Sequence, residues 1–207
     1  MKSYPEIPNS LGQDFQEFHA HVFRKYDGSN LRAEASKKRG FYKFGTRQRM
    51  FDTTDPVFGV GVELFKSIWE ERIMKVITDQ KWESCIIFCE FHGPRSFAGQ
   101  HEADDPKTLT LFDVNPHKRG FLGPKEFLKL FGDMNDVAEY LGQEHWTRGF
   151  VQRVRTGEYM GGQLDEGVVG KAGEGHDLIR AKAKTQTWID RVLARYGAED
   201  GKKLVES

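Results

Sequence analysis

Leu31, Ala33 and Ala35 alternate with polar or charged neighbours, the two-residue period of a strand with one face against a core. Turn-forming clusters lie before and after this run, at 26–30 (Tyr-Asp-Gly-Ser-Asn) and 37–40 (Lys-Lys-Arg-Gly). Residues 21–47 therefore read as strands joined by turns. Over 61–79 the period changes. Val62, Phe65, Ile68, Trp69, Ile73, Val76 and Ile77 recur at helical spacing and predict one amphipathic helix. Residues 84–92 are a short apolar run bounded by polar ones, the pattern of a buried strand, and 108–114 reads likewise. A short helix is expected over 124–131, and two further strands over 167–171 and 178–184. Trp188, Ile189, Val192, Leu193 and Tyr196 form the apolar face of a last helix, with a charged, flexible tail at 198–207. The pattern lacks regular strand–helix alternation. It predicts an α+β fold of mainly antiparallel sheets flanked by helices, with one domain over 1–197.

Composition narrows the class. Of 207 residues 38% are apolar and 13% aromatic, enough to bury a core. No stretch is long and apolar enough to cross a bilayer, and no secretory signal is read at the N-terminus, so a cytoplasmic setting is expected. Net charge is zero, with 31 basic and 31 acidic residues, but the basic ones cluster. Arg24, Lys25, Arg32, Lys37, Lys38, Arg39, Lys43, Arg47 and Arg49 face only Asp27 and Glu34 within 24–49. A second run holds Arg180, Lys182, Lys184, Arg191 and Arg195. Such runs either attract phosphates or are solvated surface.

Several chemistries are excluded by what is missing. There is no phosphate loop ending in Gly-Lys-Ser/Thr, and Gly59-Val60-Gly61 lacks the third glycine of a dinucleotide fingerprint. No Gly-x-Ser-x-Gly nucleophile elbow occurs. Strand parity sets Cys85 and Cys89 on one face and Glu90 and His92 on the other, which argues against a zinc site and for cysteines acting as small core residues.

Six short segments carry the strongest signal. They are Lys25-Tyr26-Asp27-Gly28-Ser29-Asn30, Phe44-Gly45-Thr46-Arg47, Phe88-Cys89-Glu90-Phe91-His92-Gly93, Leu111-Phe112-Asp113-Val114, Asp165-Glu166-Gly167-Val168-Val169-Gly170-Lys171, and Leu178-Ile179-Arg180-Ala181-Lys182-Ala183-Lys184. Singly each has a plainer reading as a hairpin turn, a core strand or a solvated face. In this order they resemble motifs I, Ia, III, IIIa, IV and V of the covalent nucleotidyltransferases, the polynucleotide ligases and mRNA capping enzymes. The resemblance spans residues 25–184.

It implies an ATP-grasp-like nucleotidyltransferase domain in which Lys25 is the nucleophile that takes AMP from ATP. Lys182 and Lys184, two apart and so able to share a strand face, would favour the neutral form of Lys25 and bind the α-phosphate. Asp27 and Asn30 would belong to the nucleotide site through motif I. By the same resemblance Arg47 would hold a phosphate or ribose oxygen, Glu90 a ribose or metal, and Phe112 the purine face. Glu166, with Glu90, would ligate Mg²⁺ or Mn²⁺. The wording of motifs I, III and IV is closer to RNA ligase domains. The oligonucleotide-binding barrel that follows motif V in DNA ligases and capping enzymes is not seen after Lys184. The expected activity is ATP-dependent RNA ligation, joining a 5′-phosphate to a 3′-hydroxyl, with a partner protein supplying substrate binding. A small DNA ligase acting on nicked duplex, or a stand-alone adenylyl- or guanylyltransferase, is the alternative.

Overall fold

The computed structural model describes residues 1–8, 10 and 15–206. Its contacts divide the chain into two compact units. The first holds Met1–Tyr4, Gly28–Val137 and Glu174–Asp177, and the second Pro5–Asp27, Ala138–Gly173 and Leu178–Ser207.

The first unit is a five-stranded sheet in the order β4-β3-β2-β5-β6, formed by β2 (Ser29–Ser36), β3 (Gly40–Thr46), β4 (Met50–Phe51), β5 (Ser84–His92) and β6 (Thr108–Pro116). Every ladder in it is antiparallel. The alternation at Leu31, Ala33 and Ala35 is realised, and all three side chains are buried. They share a face with their partners Cys89, Ile87 and Cys85. The 61–79 periodicity gives a continuous helical stretch of α1 (Gly59–Leu64), a π segment (Phe65–Glu70) and α2 (Glu71–Asp79). Phe65 packs on Phe41 and Phe44 of β3, and the Trp69 indole donates to the Leu109 carbonyl. Helix α3 (Pro124–Phe131) starts with proline at its first position, where a missing N–H costs nothing.

The second unit is a four-stranded antiparallel sheet in the order β7-β1-β8-β9, from β1 (Phe18–Lys25), β7 (Tyr140–Trp146), β8 (Gly167–Ala172) and β9 (Ile179–Lys184). Ala20, Val22, Val168, Ala181 and Ala183 turn to one face and pack with Trp146 and with Phe150, Val151 and Val154 of helix α4 (Arg148–Arg155). The alternate positions of β1 and β9, Lys25, Lys182 and Lys184 among them, therefore project from the opposite face. Helix α5 (Gln186–Glu206) is interrupted at Gly197, whose φ of 78° and ψ of 173° break the helical path. The 198–206 segment expected to be a flexible tail is thus helical, and Ser207 lies outside the described residues. Beyond the break Gly201 is buried against Leu193, where a Cβ would lie 3.1 Å from the Leu193 Cα.

The α+β class and antiparallel sheets match expectation. Strand β7 and helix α4 were not anticipated, because 140–155 mixes charged, aromatic and glycine residues without a clean period.

Candidate functional site

The register of the second unit lines up the residues of three motifs. Lys25 ends β1 and pairs with Gly167, and Gly167 pairs with Lys184 on β9. Gly167 has a φ of 149°, and a Cβ there would lie 2.0 Å from the Ala183 carbonyl oxygen, so only glycine fits where β8 leaves Glu166. Glu166 is consequently held at the head of β8, 3% exposed. Its carboxylate accepts from Lys25 Nζ at 2.8 Å through one oxygen and lies 3.2 Å from Lys184 Nζ through the other.

The start of α5 completes this cluster. Thr185 is the N-cap: its hydroxyl accepts from the Trp188 backbone N–H, and it donates to the Asp165 carbonyl at 2.6 Å. Trp188, buried, places its ring 4.4 Å from Lys184 Nζ and donates its indole N–H to Asp27 Oδ2 at 2.7 Å. One side chain thereby ties motif I to motif V. The sequence marked Trp188 only as part of an apolar helix face; the neighbouring motif lysine was the sole clue to more. Burial lowers the pKa of Lys184, and Lys25 adds to this, while Glu166 and Asp27 oppose it.

The far end of α5 reaches the same lysines. Lys182 Nζ donates to the Glu206 carbonyl at 2.9 Å, and Lys184 Nζ to the Leu204 carbonyl at 3.4 Å. Helix C-terminal carbonyls carry partial negative charge, so they act here as neutral counterparts of an anion.

Asn30, Arg47, Glu90 and Phe112 lie in the first unit. Asn30 pairs with Glu90 across β2 and β5, so the two share a sheet face. Just before them, a Cβ on Gly28 would sit 2.3 Å from the Phe91 carbonyl oxygen, which accounts for the glycine of motif I. Arg47 follows β3 directly and is exposed. Phe112 sits where the β5–β6 register shifts, and meets the Tyr4 ring edge-on at 5.1 Å. Tyr4 also donates to Asp113 at 2.5 Å, a contact from the N-terminal segment that no motif suggested.

Both cysteines are buried free thiols, Cys85 pushed up to about 12 and Cys89 well above its ordinary value by burial. His92 bonds Thr110 at 2.8 Å instead of a cysteine-bearing site. Among the described residues no group of three or more His, Cys, Asp or Glu side chains could hold a metal by itself.

Solved structures of similar architecture include ligases. An archaeal ATP-dependent RNA ligase superposes with a TM-score of 0.65 at 17% identity, over 99% of this chain and 56% of that one. A DNA ligase from Aquifex aeolicus, itself described as putative, gives 0.60 at 18%, over 99% and 57%. A Naegleria gruberi RNA ligase solved with ATP and Mn gives 0.59 at 14%, over 84% and 51%. The fold is that of the ATP-dependent ligases. The chain spans about half the length of each of these proteins. No protein-family model matches it, and no curated protein does. Among the described residues no helix is long and apolar enough to cross a membrane.

Proposed function

We propose that this chain is the catalytic domain of an ATP-dependent RNA ligase, with Lys25 as the residue that carries AMP. The observation that supports this most directly is the triangle of Lys25, Glu166 and Lys184. A lysine attacks only as the free amine, so Lys25 has to lose a proton, and Glu166 is an acceptor in hydrogen-bond reach. The Nζ lone pair then forms a bond to the α-phosphorus. The bond from that phosphorus to the bridging oxygen breaks, and pyrophosphate leaves with the electron pair. Lys182 and Lys184 face the charge that builds on the α-phosphate. AMP passes next to a 5′-phosphate strand end, and a 3′-hydroxyl displaces it to seal the strand. Glu166 would be a carboxylate ligand of the divalent ion, which would offset phosphate charge; the motif resemblance gives Glu90 the same role. Asp27, fixed by Trp188, would contact the nucleotide, and the motif resemblance assigns nucleotide contacts to Asn30, Arg47 and Phe112 as well. ATP use and free, buried cysteines fit a cytoplasmic setting.

The test is a mass spectrum after incubation with ATP and Mg²⁺, followed by sealing assays on single-stranded RNA, nicked RNA and nicked DNA. A covalent AMP adduct that ATP forms and GTP does not, with RNA sealed, is the expected result. An adduct from GTP alone would replace this reading with a guanylyltransferase. The Aquifex neighbour gives a second reading, a small DNA ligase, which sealing of DNA nicks alone would favour.

A further expectation concerns the carbonyls of Leu204 and Glu206. A phosphate drawn to Lys182 and Lys184 would compete with them for the ammonium donors. Gly201→Val adds bulk against Leu193 and Val192 and loosens this segment. Its KM for ATP in self-adenylation should fall roughly threefold to tenfold, as when a competent form populated at about 10–30% becomes dominant. An unchanged or higher KM would mean that the segment supports the lysines.

A further inference from the structure

Arg32 lies on β2, two residues after the last residue of motif I, and is 5% exposed. Its strand partners are Phe88 on β5 and Gly45 on β3. A Cβ at position 45 would stand 3.2 Å from Arg32 Nε, so the glycine leaves the room in which the guanidinium lies. On the same sheet face the neighbouring pair is Asn30 and Glu90. Among the described residues Arg32 Nε and Nη1 are buried without a hydrogen-bond partner, and no carboxylate pairs with the group. Asn30 Oδ1 is buried and unpartnered as well.

A buried arginine that serves the fold is paired, because an uncompensated cation away from water is costly. Here the donors are preserved and unused, beside an unused acceptor and a carboxylate. We propose that Arg32 is an anion-binding residue of this sheet face, its guanidinium receiving a phosphate oxygen. The planar donor fork matches a phosphate in a way a lysine does not. Asn30 Oδ1 then suits a sugar hydroxyl carried by the same ligand. Either the polyphosphate of a nucleotide or the phosphate of a strand end supplies this chemistry. The inference rests on the proposed function only in taking phosphate compounds as the substrates.

The experiment compares wild type with Arg32→Met, which keeps the apolar stem and removes the donors, and with Arg32→Lys. Arg32→Met should raise KM by about tenfold to hundredfold, the effect of charge-assisted hydrogen bonds, with kcat changed far less. Its melting temperature in the free protein should hold or rise. A purely structural arginine would give the reverse, a lower melting temperature with KM intact, and that result overturns the proposal. Arg32→Lys should recover only part of the loss. If the KM for ATP in self-adenylation moves, the phosphate is the nucleotide's; if only the KM for a pre-adenylated RNA strand moves, it is the strand's; if neither moves, Arg32 binds no phosphate. Tripolyphosphate binding measured by calorimetry keeps the two readings separate. Should wild type form no AMP adduct yet bind tripolyphosphate, with Arg32→Met binding it tenfold more weakly, the ligase reading fails and the Arg32 inference stands.

Discussion

A chain carrying Lys25→Ala should take no label from α-labelled ATP, whereas the native chain should carry one AMP. Alanine removes the only lysine that donates to Glu166 from the end of β1, and with it the nitrogen that forms the phosphoramidate. Lys25→Arg should fail equally, although it keeps the charge, because a guanidinium does not deprotonate in a protein. Sealing of a strand that already carries AMP on its 5′-phosphate should survive in Lys25→Ala, since that step needs no lysine nucleophile. The variant should also fold. Glu166 keeps Lys184 as a counter-ion at 3.2 Å, and Lys25 is a fifth exposed, so no charge is stranded away from water. Label transfer read by gel, beside sealing of the pre-adenylated strand, checks both halves. An intact label in Lys25→Ala would remove the nucleophile from the proposal.

What could be read from the sequence, and what could not, divides along a physical line. The 61–79 periodicity, the 84–92 strand and the 124–131 helix were legible because each buries a regular stripe on a neighbouring element. Lys25, Asp27, Glu166, Lys182 and Lys184 were singled out by motif spacing, and all five lie in the second unit. Trp188 looked like any apolar position of a helix; its indole bond to Asp27 depends on where α5 begins, which the Thr185 cap decides. Arg32 looked like the polar half of an alternating strand. Its strand partner Phe88 is packed by Tyr4 and Phe121, from distant parts of the chain, which no period within β2 reveals. The tail read as flexible because its composition is charged, yet Gly197 turns it back and two motif lysines engage its carbonyls.

Glu166→Gln should lower self-adenylation by about 10²–10⁴-fold, the range for loss of a positioned general base. Glutamine keeps the shape and can still accept one hydrogen bond, so the loss reports the charge. The same substitution leaves Lys184, buried at 7% exposure, without its carboxylate. Breaking a buried pair costs about 3–5 kcal/mol, and the lower end applies because Lys25 is partly solvated. The melting temperature should then fall by roughly 6–12 °C. Glu166 is also one of the groups that raise the Lys184 pKa against its burial, so removing it pushes that ammonium further below the ordinary lysine value. Any residual adenylation should consequently decline at a lower pH on the alkaline side than in the native chain, as the phosphate clamp loses its charge. A double substitution separates the two effects. Glu166→Gln with Lys184→Met removes the stranded cation, so stability should return by a measurable fraction while adenylation stays lost. If the double variant melts no higher than Glu166→Gln alone, the charge pair is not what stabilises this cluster. If Glu166→Gln adenylates at the native rate, the proton on Lys25 leaves by another route.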